Sequence, residues 1–310
     1  MKLNHIVVAS NLSPAARQSY PHAASLARTF GAKVTLLHAD DLDHGYHDHT
    51  ALAAYLDTAR TVRAERIRQA EADFARLGVD VKVEMVPGSL KNIFAGWVEA
   101  NQPDLVVMVK RNRGRLEQLL LGSTTKRVLR LGVCPVLVVH QCDTDPEEPP
   151  AELPQYRHVL TATDLGPTSR PGLRAVSALA QRLDARVTAV QVVRLPTLHP
   201  VTDSEQALAL PGDEIDVLKE RYDQGLRREL EAVGDGRFWP MVIVGGNPGD
   251  GIVEAAAIEK ADLIALPATG RDSLGELLLG STAERVAKRS KVPVLVIPRP
   301  FLEIWAGEAA

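Results

Sequence analysis

Short apolar runs alternate with helix-length amphipathic stretches along the chain, and the whole series occurs twice. In the first half, apolar runs at 5–10, 32–39, 79–86, 104–109 and 136–139 read as buried strands. Between them, 14–30, 51–77 and 90–101 carry helical spacing. Ser13 and Pro14 open the first of these and Gly31 closes it. In the second half the strands fall at 157–163, 186–193, 238–244, 262–267 and 294–297. Strands alternating with helices predict right-handed βαβ units around a parallel sheet.

The halves are copies of each other. LLLGSTTKRVLRLGVCPVLVV begins at Leu119 and LLLGSTAERVAKRSKVPVLVI at Leu277, with 12 of 21 positions identical at a constant offset of 158 residues. Between the copies, HQCDTDPEEPPAELPQY holds Pro146, Pro149, Pro150 and Pro154 among five acidic residues, so it forms neither a helix nor a central strand. The sequence thus predicts two repeated, doubly wound α/β domains, 1–147 and 155–310, each with a five-stranded parallel sheet.

Composition narrows the function classes. A net charge of −3 argues against nucleic acid as a partner. No apolar run reaches the ~18 residues of a membrane helix, and the apolar stretch at the N-terminus is too short for a secretory signal, so the expected location is the cytoplasm. Cys134 and Cys142 are too few for a disulfide framework. Cys134, just before an apolar strand, is expected to be buried and inert.

Candidate chemistry concentrates in the second copy. Gly270 is followed by nine residues and then Gly280-Ser281-Thr282, which opens a helix. A glycine allows close backbone approach, and the free amides and dipole of a helix start favour a phosphate. The same residues, Ser281 to Glu284, also spell a capping box, which needs no ligand. Strand one of this copy ends in Asp164. Ligands of doubly wound sheets lie outside the carboxyl ends of the strands, so Asp164 is expected in the same crevice. It could there bond an adenine amino group or a ribose hydroxyl, or simply close an Asx turn.

Together these residues resemble a tandem universal stress protein. That family's pattern is an Asp after strand one, Gly-x-x-Gly, nine residues and Gly-Ser/Thr after strand four, then a Pro-Val-Leu-Val-like last strand. The resemblance spans nearly all of both copies. It implies an adenine nucleotide alpha hydrolase-like fold and ATP as ligand. Carried over, the nucleotide site is Ala162, Asp164, Val192, Gly270, Gly280, Ser281 and Thr282. Pro267 departs from the pattern, standing where the first glycine would be and lacking an N–H. The first copy departs further: Asn11 replaces the Asp, while Val109 and Asn112 replace the glycines. It reads as a degenerate site.

Two other clusters invite chemistry. His38, His44, His47 and His49 lie among Asp40, Asp41, Asp43 and Asp48, but their spacing fixes no metal geometry, so they read as a polar loop. Lys110 to Arg115 carries four positive charges and reads as a solvated basic loop that an anion or the acidic linker could visit, with Lys126 close by in sequence. No catalytic residue and no metal ligand is assigned. The leading reading is an ATP-binding regulator with one nucleotide site, with an unidentified protein as a further partner. A protein-contact module without nucleotide, and a slow metal-dependent hydrolase, are the alternatives. In the resembling family the last strands pair antiparallel between subunits. Here the strands at 136–139 and 294–297 are expected to pair within one chain as an internal pseudo-dimer. Further homo-oligomers are left open.

Overall fold

The structure is a computed structural model and describes residues 1–40, 50–110, 121–140, 152–166, 169–194, 212–268 and 280–307. The first copy runs β1 (His5–Ala9), α1 (Tyr20–Phe30), β2 (Lys33–Asp40), α2 (Thr50–Arg76), β3 (Val81–Pro87), α3 (Leu90–Asn101), β4 (Leu105–Lys110), α4 (Ser123–Leu131) and β5 (Val136–His140). The second runs β6 (His158–Ala162), α5 (Ser169–Leu183), β7 (Arg186–Val193), α6 (Gly212–Val233), β8 (Phe238–Val244), α7 (Pro248–Ile258), β9 (Leu263–Ala268), α8 (Ser281–Arg289) and β10 (Val294–Pro298). A last helix, α9 (Arg299–Ala306), was not anticipated from the sequence. It caps the β5–β10 region with buried Leu302 and Trp305.

The predicted helix at 14–30 is divided. Residues Pro14–Ser19 form a 3-10 turn, and the α-helix restarts with Pro21 in its first turn and ends at Gly31 in the left-handed region. A proline inside one continuous helix would delete an i→i−4 bond, whereas at a helix start its missing N–H costs nothing.

All ten strands form one sheet in the order β3-β2-β1-β4-β5-β10-β9-β6-β7-β8. Within each copy the pairing is parallel. The copies meet where β5 and β10 run antiparallel, with Val138↔Val294, Leu137↔Leu295 and Val136↔Val296 in register. The expected internal pairing is therefore present. It removes both last strands from the sheet edge, where exposed apolar backbone would template association. Leu137 and Leu295 are counterparts 158 residues apart, so a pseudo-twofold axis passes between them.

The core ignores the copy boundary. On one face, apolar residues of β1, β4, β5, β6, β9 and β10 pack with α1, α2, α5, α6 and α9 as one cluster. On the other, α3, α4, α7 and α8 cover a second continuous cluster. The chain around Tyr156 is part of this packing: the hydroxyl meets His22 Nδ1 at 2.6 Å, and Ser25 Oγ donates to the Pro154 carbonyl at 2.6 Å. The duplication extends to polar staples. His5 and His158 contact Thr35 and Thr188 at 2.9 Å each, and Asp104 and Asp262 accept the amides of His5 and His158.

One close approach fixes α5 on the sheet. A Cβ added at Gly172 would sit 2.8 Å from the Pro267 ring, so only glycine fits without displacement. Gly172→Ala should cost roughly 1–3 kcal/mol, the range for overpacking, read as a lower urea midpoint. An unchanged midpoint would show that α5 can shift freely.

Candidate functional site

At the carboxyl ends of β6, β7 and β9 lies a cavity of about 440 Å³. This falls within the usual range for small-molecule sites. In each half the sheet order reverses between its first and fourth strands, here β6 and β9, which is the topological switch point where doubly wound folds bind ligands.

Six of the residues proposed from the sequence line this one cavity: Ala162, Asp164, Val192, Gly280, Ser281 and Thr282. Gly270 lies outside the described residues, as do Asn112 and the histidines at 44, 47 and 49. Leu173, Ile252, Leu266 and Pro267 supply apolar walls, and Ser169 and Arg194 add polar groups. Arg194 was missed by the sequence reading. Its signal was position: it directly follows β7, at the strand end where Val192 had already been selected. It has no carboxylate partner among the described residues. In the first copy the same position is Asp41, so the copies differ there by a charge reversal.

The competing capping-box reading fails on geometry. Gly280, with φ −58° and ψ 146°, is the N-cap of α8, and among the described residues no side-chain cap bond is made there. Ser281 is therefore the first helical residue, and the first intrahelical bond runs from the Glu284 amide to the Gly280 carbonyl at 3.0 Å. The amides of Ser281, Thr282 and Ala283 have no intrahelical partner by construction, and all three residues line the cavity. Among the described residues Gly280 meets no neighbouring atom that a Cβ would strike, and its φ is one any residue adopts. Neither packing among the described residues nor backbone conformation demands glycine there.

Asp164 does close an Asx turn: Oδ1 accepts the Gly166 amide at 2.9 Å and lies 3.4 Å from Ser169 Oγ. Its second oxygen has no bond among the described residues. Leu165 after it has φ 56°, matched by Leu12 at 57° after Asn11. Left-handed leucines at equivalent places are uncommon and costly. Both copies thus keep the turn that presents the Asx side chain.

The Pro267 departure is absorbed. Alternation along β9 directs residue 267 toward β6, whose pairing with β9 stops at Thr161↔Ala265. The missing N–H removes no ladder bond; it removes a donor from the cavity wall. In the first copy the wall differs more. Tyr20 takes the place of Leu173, fully buried, its ring 4.8 Å from Phe74 and its hydroxyl 3.5 Å from Ser10 Oγ.

The basic loop reading needs correction at Lys110, the counterpart of cavity-lining Ala268. Lys110 is not solvated: only 2% of it is exposed. Its ammonium donates to the carbonyls of Lys288 and Ser290 at 2.8 and 3.0 Å, and burial pushes its pKa down to about 8. Arg111 to Arg115 lie outside the described residues. Cys134 is buried with its thiol on the Pro103 carbonyl at 3.2 Å, and burial raises its pKa, which keeps it an inert thiol. Among the described residues no group of three or more His, Cys, Asp or Glu is arranged to hold a metal. Nor is any helix there long and apolar enough to cross a membrane.

The profile of the universal stress protein family matches residues 2–140 and again residues 155–298. The chain belongs to the universal stress protein family. It is 29% identical over 247 residues to a universal stress protein of Mycobacterium tuberculosis, covering 77% of each chain. It is 32% identical over 154 residues to one from Methanocaldococcus jannaschii, covering 48% of this chain and 85% of the relative. Among solved structures, a putative universal stress protein from Pseudomonas aeruginosa aligns with a TM-score of 0.61 at 18% identity, covering 98% of this chain and 97% of the other. That likeness establishes the fold of this universal stress protein: two α/β repeats whose last strands join.

Proposed function

We propose that this chain is an ATP-binding regulatory protein of the cytoplasm, with one nucleotide site in the second domain (155–310) and a degenerate one in the first (1–147). The observation that carries the reading is the convergence in one cavity of Asp164, Val192 and the uncapped amides of residues 281–283, at the switch point of the sheet. In this reading Ala162, Val192 and the Asp164 carboxylate face the base and ribose, and Gly270, Gly280, Ser281 and Thr282 take ribose and phosphates. Arg194 adds positive charge at the mouth, which favours an anion. Tyr20 and Asn11 make the first domain a poorer host, because a larger ring stands where Leu173 lines the cavity and an amide replaces the carboxylate.

Calorimetric titration with ATP tests this, with cAMP as a competing ligand. One site per chain is expected. Asp164→Ala should weaken binding by roughly 1–3 kcal/mol, the cost of leaving a partner unpaired, while Asn11→Ala should leave it unchanged. A stoichiometry near two, no heat at all, or equal losses from both variants would overturn the proposal.

A further inference from the structure

The helix that opens the cavity is held by the other copy. Glu284 stands three residues after Ser281, about one helical turn or ~5 Å further along α8. A carboxylate in a first turn suits the helix dipole, yet it opposes any anion bound at the same amides, well inside the ~8–10 Å Debye length. Here the carboxylate is partly exposed and, among the described residues, makes no bond to those amides. It reaches across the pseudo-twofold to α4, with Lys126 Nζ on Oε1 at 2.5 Å and an Arg130 guanidinium nitrogen on Oε2 at 3.1 Å. Burial alone would raise its pKa, but these two cations outweigh burial and hold it below the usual carboxylate range.

The partners are counterparts. Lys126 and Glu284 are the same position of the repeat, 158 residues apart, and the twofold brings them together. Two second copies meeting this way would oppose two acids, and two first copies two lysines. Only the mixed pair cancels. At the far end of α8, buried Lys110 caps the Lys288 and Ser290 carbonyls, so the first copy grips the helix at both ends.

We propose that the first copy sets the anion affinity of the second-copy cavity: Lys126, with Arg130, neutralises Glu284 one turn behind the amides of residues 281–283. This rests on the reading that the cavity takes a nucleotide. The degenerate copy then has a function of its own, as the electrostatic partner of the intact site. Lys126 and Arg130 are positioning residues in this scheme and touch no ligand.

A mutant cycle read by ATP calorimetry at low salt tests it. Lys126→Ala, which bares the acid, should weaken ATP binding roughly two- to fivefold, the scale of a charge at a helix start. Glu284→Gln should tighten it by a similar factor. The double variant should return to within about twofold of the wild type, and all differences should shrink in ~1 M salt, where the Debye length is ~3 Å. These side chains are half-exposed, and thermal melts check that each variant folds. If both single variants weaken binding alike, the contact is a mechanical tie and the proposal is wrong. It is equally wrong if Lys126→Ala changes nothing. If the wild type itself binds no ATP, the nucleotide reading falls first and this inference falls with it.

Discussion

Val138→Pro should delete a backbone bond across the seam between the two copies, whereas Leu137→Pro should delete one inside the first copy. The Val106 amide donates to the Pro135 carbonyl, so residues 135, 137 and 139 of β5 turn their backbone groups toward β4. Val136 and Val138 then face β10, where Val138 lies opposite Val294. The same alternation holds on the other side, because the Ile264 amide donates to Pro293 and leaves Val294 and Val296 facing β5. Proline at 138 deletes the donor of a hydrogen-bonded antiparallel pair and orphans a buried acceptor. That alone costs ~1–3 kcal/mol, and ring strain in a central strand raises the total to about 3 kcal/mol or more. Trp305 reports the event, since it is 2% exposed beside Leu137 and Leu295. Acrylamide quenching in a Trp239→Phe background, without denaturant, should rise more for Val138→Pro than for Leu137→Pro, in which the lost side chain beside Trp305 itself contributes a smaller rise. Equal quenching in the two variants would refute the assignment of the seam bonds.

Acidification from pH 7 to 5 should destabilise the protein by about 2 kcal/mol through His22 alone. Burial pushes its pKa down to about 4 from an ordinary 6.5. The unfolded chain therefore takes up a proton between pH 6.5 and 4 that the folded chain refuses. Stability is fully present above pH 6.5, is lost as pH falls through this window, and has lost about 3 kcal/mol below it. The setting agrees: His22 Nδ1 lies 2.6 Å from the Tyr156 hydroxyl in the packed region between the copies, where charging the ring meets a desolvation cost. His5 and His158 act with the same sign. Burial lowers both, with Lys33 beside the first and Arg186 beside the second assisting. The salt-bridged carboxylates Glu229, Asp250 and Glu284 are held low, so their losses come in more acidic solution. Urea midpoints at pH 7 and 5 measure the drop, and His22→Phe should remove most of it. A midpoint independent of pH across this window would disprove the mechanism.

Much of this protein could be read from local pattern. The duplication, the strand sequence of each copy and the place of Asp164 and residues 280–282 follow from residues near one another in the chain. Strand ends and helix starts of a doubly wound sheet converge by topology, so short motifs brought Asp164, Gly280 and Ser281 to one crevice, while Ala162, Val192 and Thr282 were added by the family resemblance. Arg194 was legible by the same rule and was passed over. What the sequence left open was every question of partner. Ser281 to Glu284 spells a capping box, and only the backbone at Gly280 shows that the helix begins one residue earlier, which frees Glu284 for another contact. Lys110 reads as one more charge in a basic loop, and only the arrival of the end of α8 from the other copy buries it as a helix cap. Lys126 and Glu284 carry no mark that they meet, because their contact is made by a twofold axis relating segments 158 residues apart. Backbone propensity and apolar periodicity act over a few residues and are written locally. The destination of a long charged side chain depends on where whole repeats dock, and that is decided only when β5 and β10 close the sheet.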